Sequence, residues 1–443
     1  MTRVKRFLYL QTNFLSMLNT LRITALIAII WVSPNFMGQT QQIIGQSDDE
    51  DLNTITTAVP FLIIAPDTRS GGMGEAGVSI SPDANSIHWN PAKLAFAESD
   101  FEMSLSYSPW LRKLVRDMNL AYLSGYSKID DNQAIGASLR FFSLGSIQFT
   151  DEQGNDIRNF EPTEFAIDGA YAIKLSERFS GGMAARFIYS NLTGGVITSS
   201  GGESKPGTAF SVDVSGYYEN DDIRIGDFDA VLSAGFNISN IGSKMSYTQA
   251  AERDFIPINF RIGPTLKLLL DEYNSLAFTV DVNKLLVPTP PVYLVDEEGN
   301  FVTDGSGNLV IASGDDPNRG VASGMFGSFS DAPGNVTIFD DGTVEVEEGS
   351  VFREEMREIN LATGFEYWYA DQFALRGGYF YEHPTKGARQ FFTLGAGVKY
   401  NVFAFDFSYL IAAQNRNPLA NTLRFTLRLN LDGAKKSAAG QEG

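Results

Sequence analysis

Leu276-Ala277-Phe278-Thr279-Val280-Asp281-Val282-Asn283 changes from apolar to polar almost residue by residue. In extended chain, successive side chains point to opposite faces. Leu276, Phe278, Val280 and Val282 therefore share a greasy face, and Thr279, Asp281 and Asn283 share a wet one. The same alternation puts Phe228, Ala230, Leu232, Ala234, Phe236 and Ile238 on one face of another stretch. It recurs at Leu423, Phe425, Leu427 and Leu429, with Arg424, Thr426 and Arg428 between them. A single two-faced strand fits any half-solvated sheet. A long series of them behind an export signal calls for a cylinder with lipid outside and water inside.

Read outward from these stretches, strand candidates run over 101–108, 117–128, 132–147, 164–175, 179–190, 208–219, 228–238, 257–270, 274–283, 356–369, 373–381, 390–400, 401–411 and 420–431. That makes roughly 14, an even number, as single-chain bacterial barrels have. Links after even-numbered candidates are mostly short, as at Ile129-Asp130-Asp131, Leu175-Ser176-Glu177, Asp271-Glu272-Tyr273 and Ala370-Asp371-Gln372. Links after odd-numbered ones are mostly longer: 109–116, 148–163, 191–207, 239–256, 284–355, 382–389 and 412–419. Short turns at one rim and long loops at the other is the outer-membrane arrangement. The expected fold is all-β: a 14-stranded antiparallel transmembrane β-barrel over 99–431 with an N-terminal lumenal plug, and 284–355 as a long extracellular loop.

The bulk numbers agree. Hydrophobic content of 43% and a mean hydropathy of −0.10 do not describe a helical membrane protein. A membrane barrel needs no more, since only every second strand residue faces lipid. Thirty-three Phe and 17 Tyr suit strands and interfacial girdles. The net charge of −19 offers no basic stripe for phosphate, so nucleic acid is excluded as a partner. The absence of cysteine rules out disulfides and thiolate metal sites. Arg3, Lys5, Arg6 and Arg22 precede the apolar run Ile23 to Val32, which reads as a secretory signal peptide over 1–38. The run is shorter than the ~20 residues that a membrane anchor helix needs.

Residues 39–59 are polar and read as a flexible mature N-terminus; 432–443 read as a C-terminal tail. Residues 60–98 have no lasting period and are rich in turn and small residues, which fits a compact plug better than strands. The 284–355 connection is too long for a passive link. Its apolar pieces Phe301-Val302, Leu309-Val310-Ile311 and Val336-Thr337-Ile338-Phe339 lie beside Gly-Asn or Asp-Gly turns, and small hairpins outside the barrel are expected there.

Chemistry-bearing motifs are few. Gly72-Met73-Gly74-Glu75-Ala76-Gly77 matches G-x-G-x-x-G but lacks the βαβ unit and the later acid of a nucleotide site. It reads as close backbone packing inside a barrel. His88 and His383 are the only histidines, and neither is spaced for a Ser-His-acid hydrolase or a metal site. The acidic clusters of 284–355 have no calcium-loop spacing. Asp213, Asp281, Glu366 and Arg376 are inward polar positions that any water-lined lumen requires. No catalytic residue, cofactor or metal is expected, and the chain reads as a non-enzyme. Trp110, Leu111, Leu114 and Val115 in the first loop are candidate partner contacts, or else belong to the membrane interface.

Gly74-Glu75-Ala76-Gly77, Asp83-Ala84-Asn85-Ser86 and Asn90-Pro91-Ala92-Lys93-Leu94-Ala95 resemble the N-terminal hatch of the FadL family of 14-stranded outer-membrane barrels. Lys93 stands where that family often has glycine. The resemblance singles out Gly74, Gly77, Asp83, Asn90, Pro91 and Ala92 as the hatch motif. A narrower likeness, to the PorV family of type IX secretion barrels, rests on Phe61 through Gly77, on Ser86-Ile87-His88-Trp89-Asn90-Pro91-Ala92-Lys93, and on Tyr107-Ser108-Pro109-Trp110-Leu111-Arg112. It implies a barrel that receives cargo bearing a C-terminal signal domain from the translocon barrel and delivers it to a surface sortase. The broader resemblance implies instead a transporter of hydrophobic small molecules.

Overall fold

The computed structural model describes residues 52–112, 115–150, 156–192, 194, 204–247, 253–296, 300–339, 342–413, 419 and 421–431. The expected signal peptide, most of the expected flexible stretch, and the C-terminal tail lie outside them.

Fourteen strands close into one antiparallel barrel. They are β1 (Phe101–Pro109), β2 (Asn119–Lys128), β3 (Gln133–Ser143), β4 (Thr163–Ser176), β5 (Phe179–Asn191), β6 (Gly207–Ile225) and β7 (Phe228–Gly242). β8 (Asn259–Leu269), β9 (Asn274–Leu285), β10 (Asn360–Tyr369), β11 (Phe373–Tyr381), β12 (Gln390–Tyr400), β13 (Phe403–Ala412) and β14 (Leu423–Asn430) complete the wall. Each pairs with the next, and β1 closes on β14 from Glu102 opposite Asn430 to Tyr107 opposite Phe425. Closure leaves no unpaired strand edge in the hydrocarbon layer. No helix among the described residues is long and apolar enough to cross a membrane.

The alternation in the sequence is the alternation of the wall. In β1, Ser104, Ser106 and Ser108 are buried while Met103, Leu105 and Tyr107 face out. In β9, Thr279, Asp281 and Asn283 point in and Phe278 and Val280 point out. Tyr273, Tyr369, Phe373, Tyr400 and Phe403 are exposed beside the short turns, as an interfacial girdle requires.

Four stretches depart from the sequence reading. Ala230 is buried, not on the face of Leu232, which is exposed. A register shift between Asn220 and Ile223 of β6 breaks the period beside it. Residues 356–359 do not begin β10; Met356 and Arg357 end a helix, Ser350–Arg357. The link after β3 carries its own strand pair, Ile147–Thr150 with Asp156–Phe160. In the longest connection, Val292–Tyr293 pairs with Ile311–Ser313 and Val336–Ile338 with Val344–Val346. Two helices that the sequence reading did not anticipate, Val321–Gly327 and Ser350–Arg357, stand in the same connection.

Residues 52–100 run through these inward faces from the long-loop rim to the short-turn rim. At the first rim Asn53 donates its backbone N–H to the Thr385 carbonyl (3.1 Å) and its Nδ2 to the Pro290 carbonyl and Glu354 Oε1. Phe61 and Leu62 then pack with Leu120, Phe142, Ala166, Ile188 and Ala209, all at the long-loop ends of their strands. Ile87, Leu94, Ala95 and Ala97 pack with Tyr126, Ala134 and Ala172 at the opposite end. Ser99 pairs with the Tyr126 hydroxyl (2.8 Å) just before β1 begins.

Candidate functional site

The crossing segment is four short helical turns, Pro60–Ile63, Thr68–Gly71, Ser86–Trp89 and Pro91–Phe96, joined by bends. Their brevity follows from composition: proline opens two of them, and Asp67 and Asn90 side chains cap the turns that follow. Asp67 accepts from the Ser70 amide (2.9 Å) and, through its other oxygen, from Trp89 Nε1 (2.6 Å). One carboxylate thus ties two turns that lie 22 residues apart.

Five of the six residues of the hatch motif make specific contacts, and Pro91 opens a turn. Gly74 has φ +68°, and a Cβ there would meet the Thr363 carbonyl and the Tyr379 backbone at 2.6 Å. Gly77 donates its amide to Asp281 Oδ2 (2.7 Å), and a Cβ on it would strike the Trp89 ring at 2.4 Å. Asp83 accepts from Arg69 (3.2 Å) and from the Asn85 amide (2.9 Å). Asn90 donates to the Val78 and Gly216 carbonyls (2.9 and 3.0 Å) while its Oδ1 accepts from the Ala92 amide. Pro91 opens the last turn, and the Ala92 carbonyl accepts from Ser180 Oγ of β5 (2.7 Å). The wall gives way where this backbone comes closest. A Cβ on Gly378 would lie 2.2 Å from the Gly74 nitrogen, and one on Gly182 would lie 2.3 Å from that of Ala92.

Sequence reasoning treated the inward charges as a generic wet face; the structure assembles them. Arg69 of the segment forms two hydrogen bonds with Glu366 of β10 (2.9 and 2.7 Å) and one with Asp83. Glu366 also accepts from Arg376 of β11 (2.7 Å), Arg376 donates to Asp406 of β13 (2.6 Å), and Asp406 accepts from Arg428 of β14 (3.1 Å). Arg424 pairs with Glu75 at 2.6 Å. Across the lumen Arg186 binds Asp168, Asp213 and Asn240. Lys93, the departure from the FadL pattern, is buried and donates to the Gly77 carbonyl at 2.7 Å. The alternate spacing of Glu366, Arg376 and Asp406 marks them as inward; nothing in it tells which charge meets which.

Of the first-loop residues, Val115 is half-buried and donates its amide to the Leu111 carbonyl (3.1 Å). Trp110 is half-buried and packs on the Phe61 and Phe142 cluster, with its amide donating to the Met118 carbonyl (3.0 Å). Leu111 is half-buried with a left-handed φ of 47°. Leu114 lies outside the described residues.

At the long-loop rim a second charged cluster holds the longest connection. Lys284, at the end of β9, donates to Glu355 (3.0 Å) and Glu358 (2.6 Å). Lys386 donates to Glu354 (2.6 Å) and Glu358 (3.1 Å). Asp331 pairs with Arg319 and stands near Glu355 and Glu358; burial first, and those two carboxylates, raise its pKa to about 6.

Among solved structures the chain is similar to the Pseudomonas putida toluene transporter TodX (12% identity, 86% of this chain and 99% of that one, TM-score 0.43). It is also similar to the Ralstonia pickettii toluene transporter TbuX (10%, 82% and 98%, TM-score 0.42). A Pseudomonas aeruginosa FadL homologue matches at 12% identity over 85% and 99%, with a TM-score of 0.40. Likenesses of this grade carry no argument about what passes through this barrel. No curated protein matches the chain. The family model described as type IX secretion system protein PorV matches residues 46–292, more than half of the sequence. The chain therefore belongs to the PorV family and is an outer-membrane barrel of the type IX secretion system.

Proposed function

We propose that this barrel is a protein carrier and not an enzyme. It binds exported proteins through their C-terminal signal domain, takes them from the translocon barrel, and passes them to a sortase at the cell surface. The crossing segment acts as a plug, so the barrel wall serves as an anchor and the long-loop rim does the binding.

The observation that carries this reading is what meets inside the cylinder. Arg69, Glu366, Arg376, Asp406 and Arg428 form one chain of ion pairs, and the segment is bonded to wall residues from β5 to β14. A lumen so filled suits a support for loops. A path for a hydrophobic solute would be lined with apolar side chains.

A transporter of hydrophobic small molecules is the second reading. It is favoured by an apolar recess of about 430 Å³ lined by Ile167, Phe187, Phe210, Val212 and Ile241, with Arg186 also in the lining. It sits at the register shift between Val212 and Val214. Deleting the gene and assaying surface display of proteins bearing the C-terminal signal decides between the two. The carrier reading predicts that display is lost. Normal display with lost uptake of fatty acids or aromatic hydrocarbons overturns it.

A further inference from the structure

The helix Ser350–Arg357 is inside out. A surface helix normally buries its apolar stripe and exposes its charges. Here Glu355, on the helix, and Glu358, just past its end, are buried, while Phe352 and Met356, one turn apart, are 71% and 51% exposed. The buried carboxylates hold Lys284 and Lys386, and Glu358 also accepts from Thr289 Oγ1 (2.7 Å). The Ala332 and Gly334 amides donate to Glu355 (2.9 Å) and Glu354 (2.8 Å). Phe329, whose ring lies 5.8 Å from Lys284 Nζ, and Phe326 of the neighbouring helix add two more exposed rings.

Buried ion pairs of this kind contribute little net stability. What they do provide is position: the helix is tied through its charged side to the end of β9 by Lys284 and to the link after β11 by Lys386. Apolar side chains on a fixed element lose less freedom on binding than the same side chains on a loose loop. Around them the charge is one-sided. Residues 286–359 contain 15 Asp and Glu against three Arg, a net −12 of the chain's −19. Asp315, Asp316, Glu345, Glu347 and Glu348 are exposed. A second copy of this chain would bring the same charge, and an anionic lipid surface would also be repelled.

We infer that Phe352 and Met356 are the anchor of a docking face for a folded protein whose contact surface has an apolar pocket ringed by Lys and Arg. This rests on the carrier reading and deepens it by naming the surface and the chemistry of its partner. The test uses the full chain in its own membrane, with a photoreactive phenylalanine analogue at position 352. Illumination is expected to link it to a peptide of another polypeptide, at a site flanked by Lys or Arg. The yield should fall severalfold when isolated membranes are taken from about 0.05 to about 0.5 M salt. Adducts confined to lipid, to this chain or to a second copy overturn the inference, as does a yield indifferent to salt. In parallel, the Phe352→Asp/Met356→Asp variant should cut surface display at least tenfold, with Phe301→Asp within twofold of wild type. If gene deletion abolishes display and the double variant does not, the docking face is wrong and the carrier reading stands. If deletion leaves display intact, it is the carrier reading that fails.

Discussion

Glu366 receives both Arg69 of the crossing segment and Arg376 of the wall, so it joins the two parts of the molecule through one side chain. Removing its charge takes one carboxylate from each of two buried guanidinium groups, leaving Asp83 to Arg69 and Asp406 to Arg376, and breaking a buried pair costs about 3–5 kcal/mol. Glu366→Gln is therefore expected to lower the unfolding free energy of the detergent-solubilised protein in urea by an amount of that order; an unchanged midpoint would contradict the role given to it. Gly74 is the backbone counterpart, with a φ of +68° and no room for a Cβ. Gly74→Ala should cost about 1–3 kcal/mol from the left-handed backbone, plus the contact with β10 and β11. Thermal melting followed by loss of the compact, heat-modifiable band in electrophoresis checks it. If alanine were neutral there, the close approach would be in error. Neither partner of the Arg69–Glu366 pair was legible as such, because 297 residues separate them and inward alternation gives a face, not a neighbour.

At the scale of elements, period two made the wall readable. β9 and β14 fell almost where alternation put them, because in a barrel every strand faces the same two solvents. It failed where the two solvents do not apply. Met356 and Ile359 looked like the start of β10, since the helix Ser350–Arg357 turns Phe352 and Met356 outward and hides its acids. The crossing segment was legible only as a lack of period, which says that it is not strand but not where each turn rests. The loop cluster carries a pH signature. Asp331 titrates at about 6 when folded, above the ordinary carboxylate value of 3.8. A raised acid favours the folded loop below the unfolded value and loses that contribution as pH rises through the folded one. Hydrogen exchange of residues 319–332, corrected for intrinsic rate, should accordingly slow between pH 7 and pH 5. Faster exchange at pH 5 would mean that the Arg319 pair, and not burial, governs the site.

From residue 52 onward the described chain is a cylinder, and residues 52–100 bond to its inward faces. Leu52, 78% exposed, stands at the long-loop rim beside Asn53, whereas Glu272 lies in an exposed short turn at the other end. With long loops outward, as in outer-membrane barrels, the two residues lie on opposite sides of the membrane. The chain has no cysteine, so single cysteines at these positions report without background. The most direct test is labelling of Leu52→Cys and Glu272→Cys on intact cells with a membrane-impermeant maleimide. The threaded barrel predicts that position 52 reacts on intact cells and position 272 only after the outer membrane is broken. Reaction of position 52 only after breakage, or of both positions from outside, would contradict it.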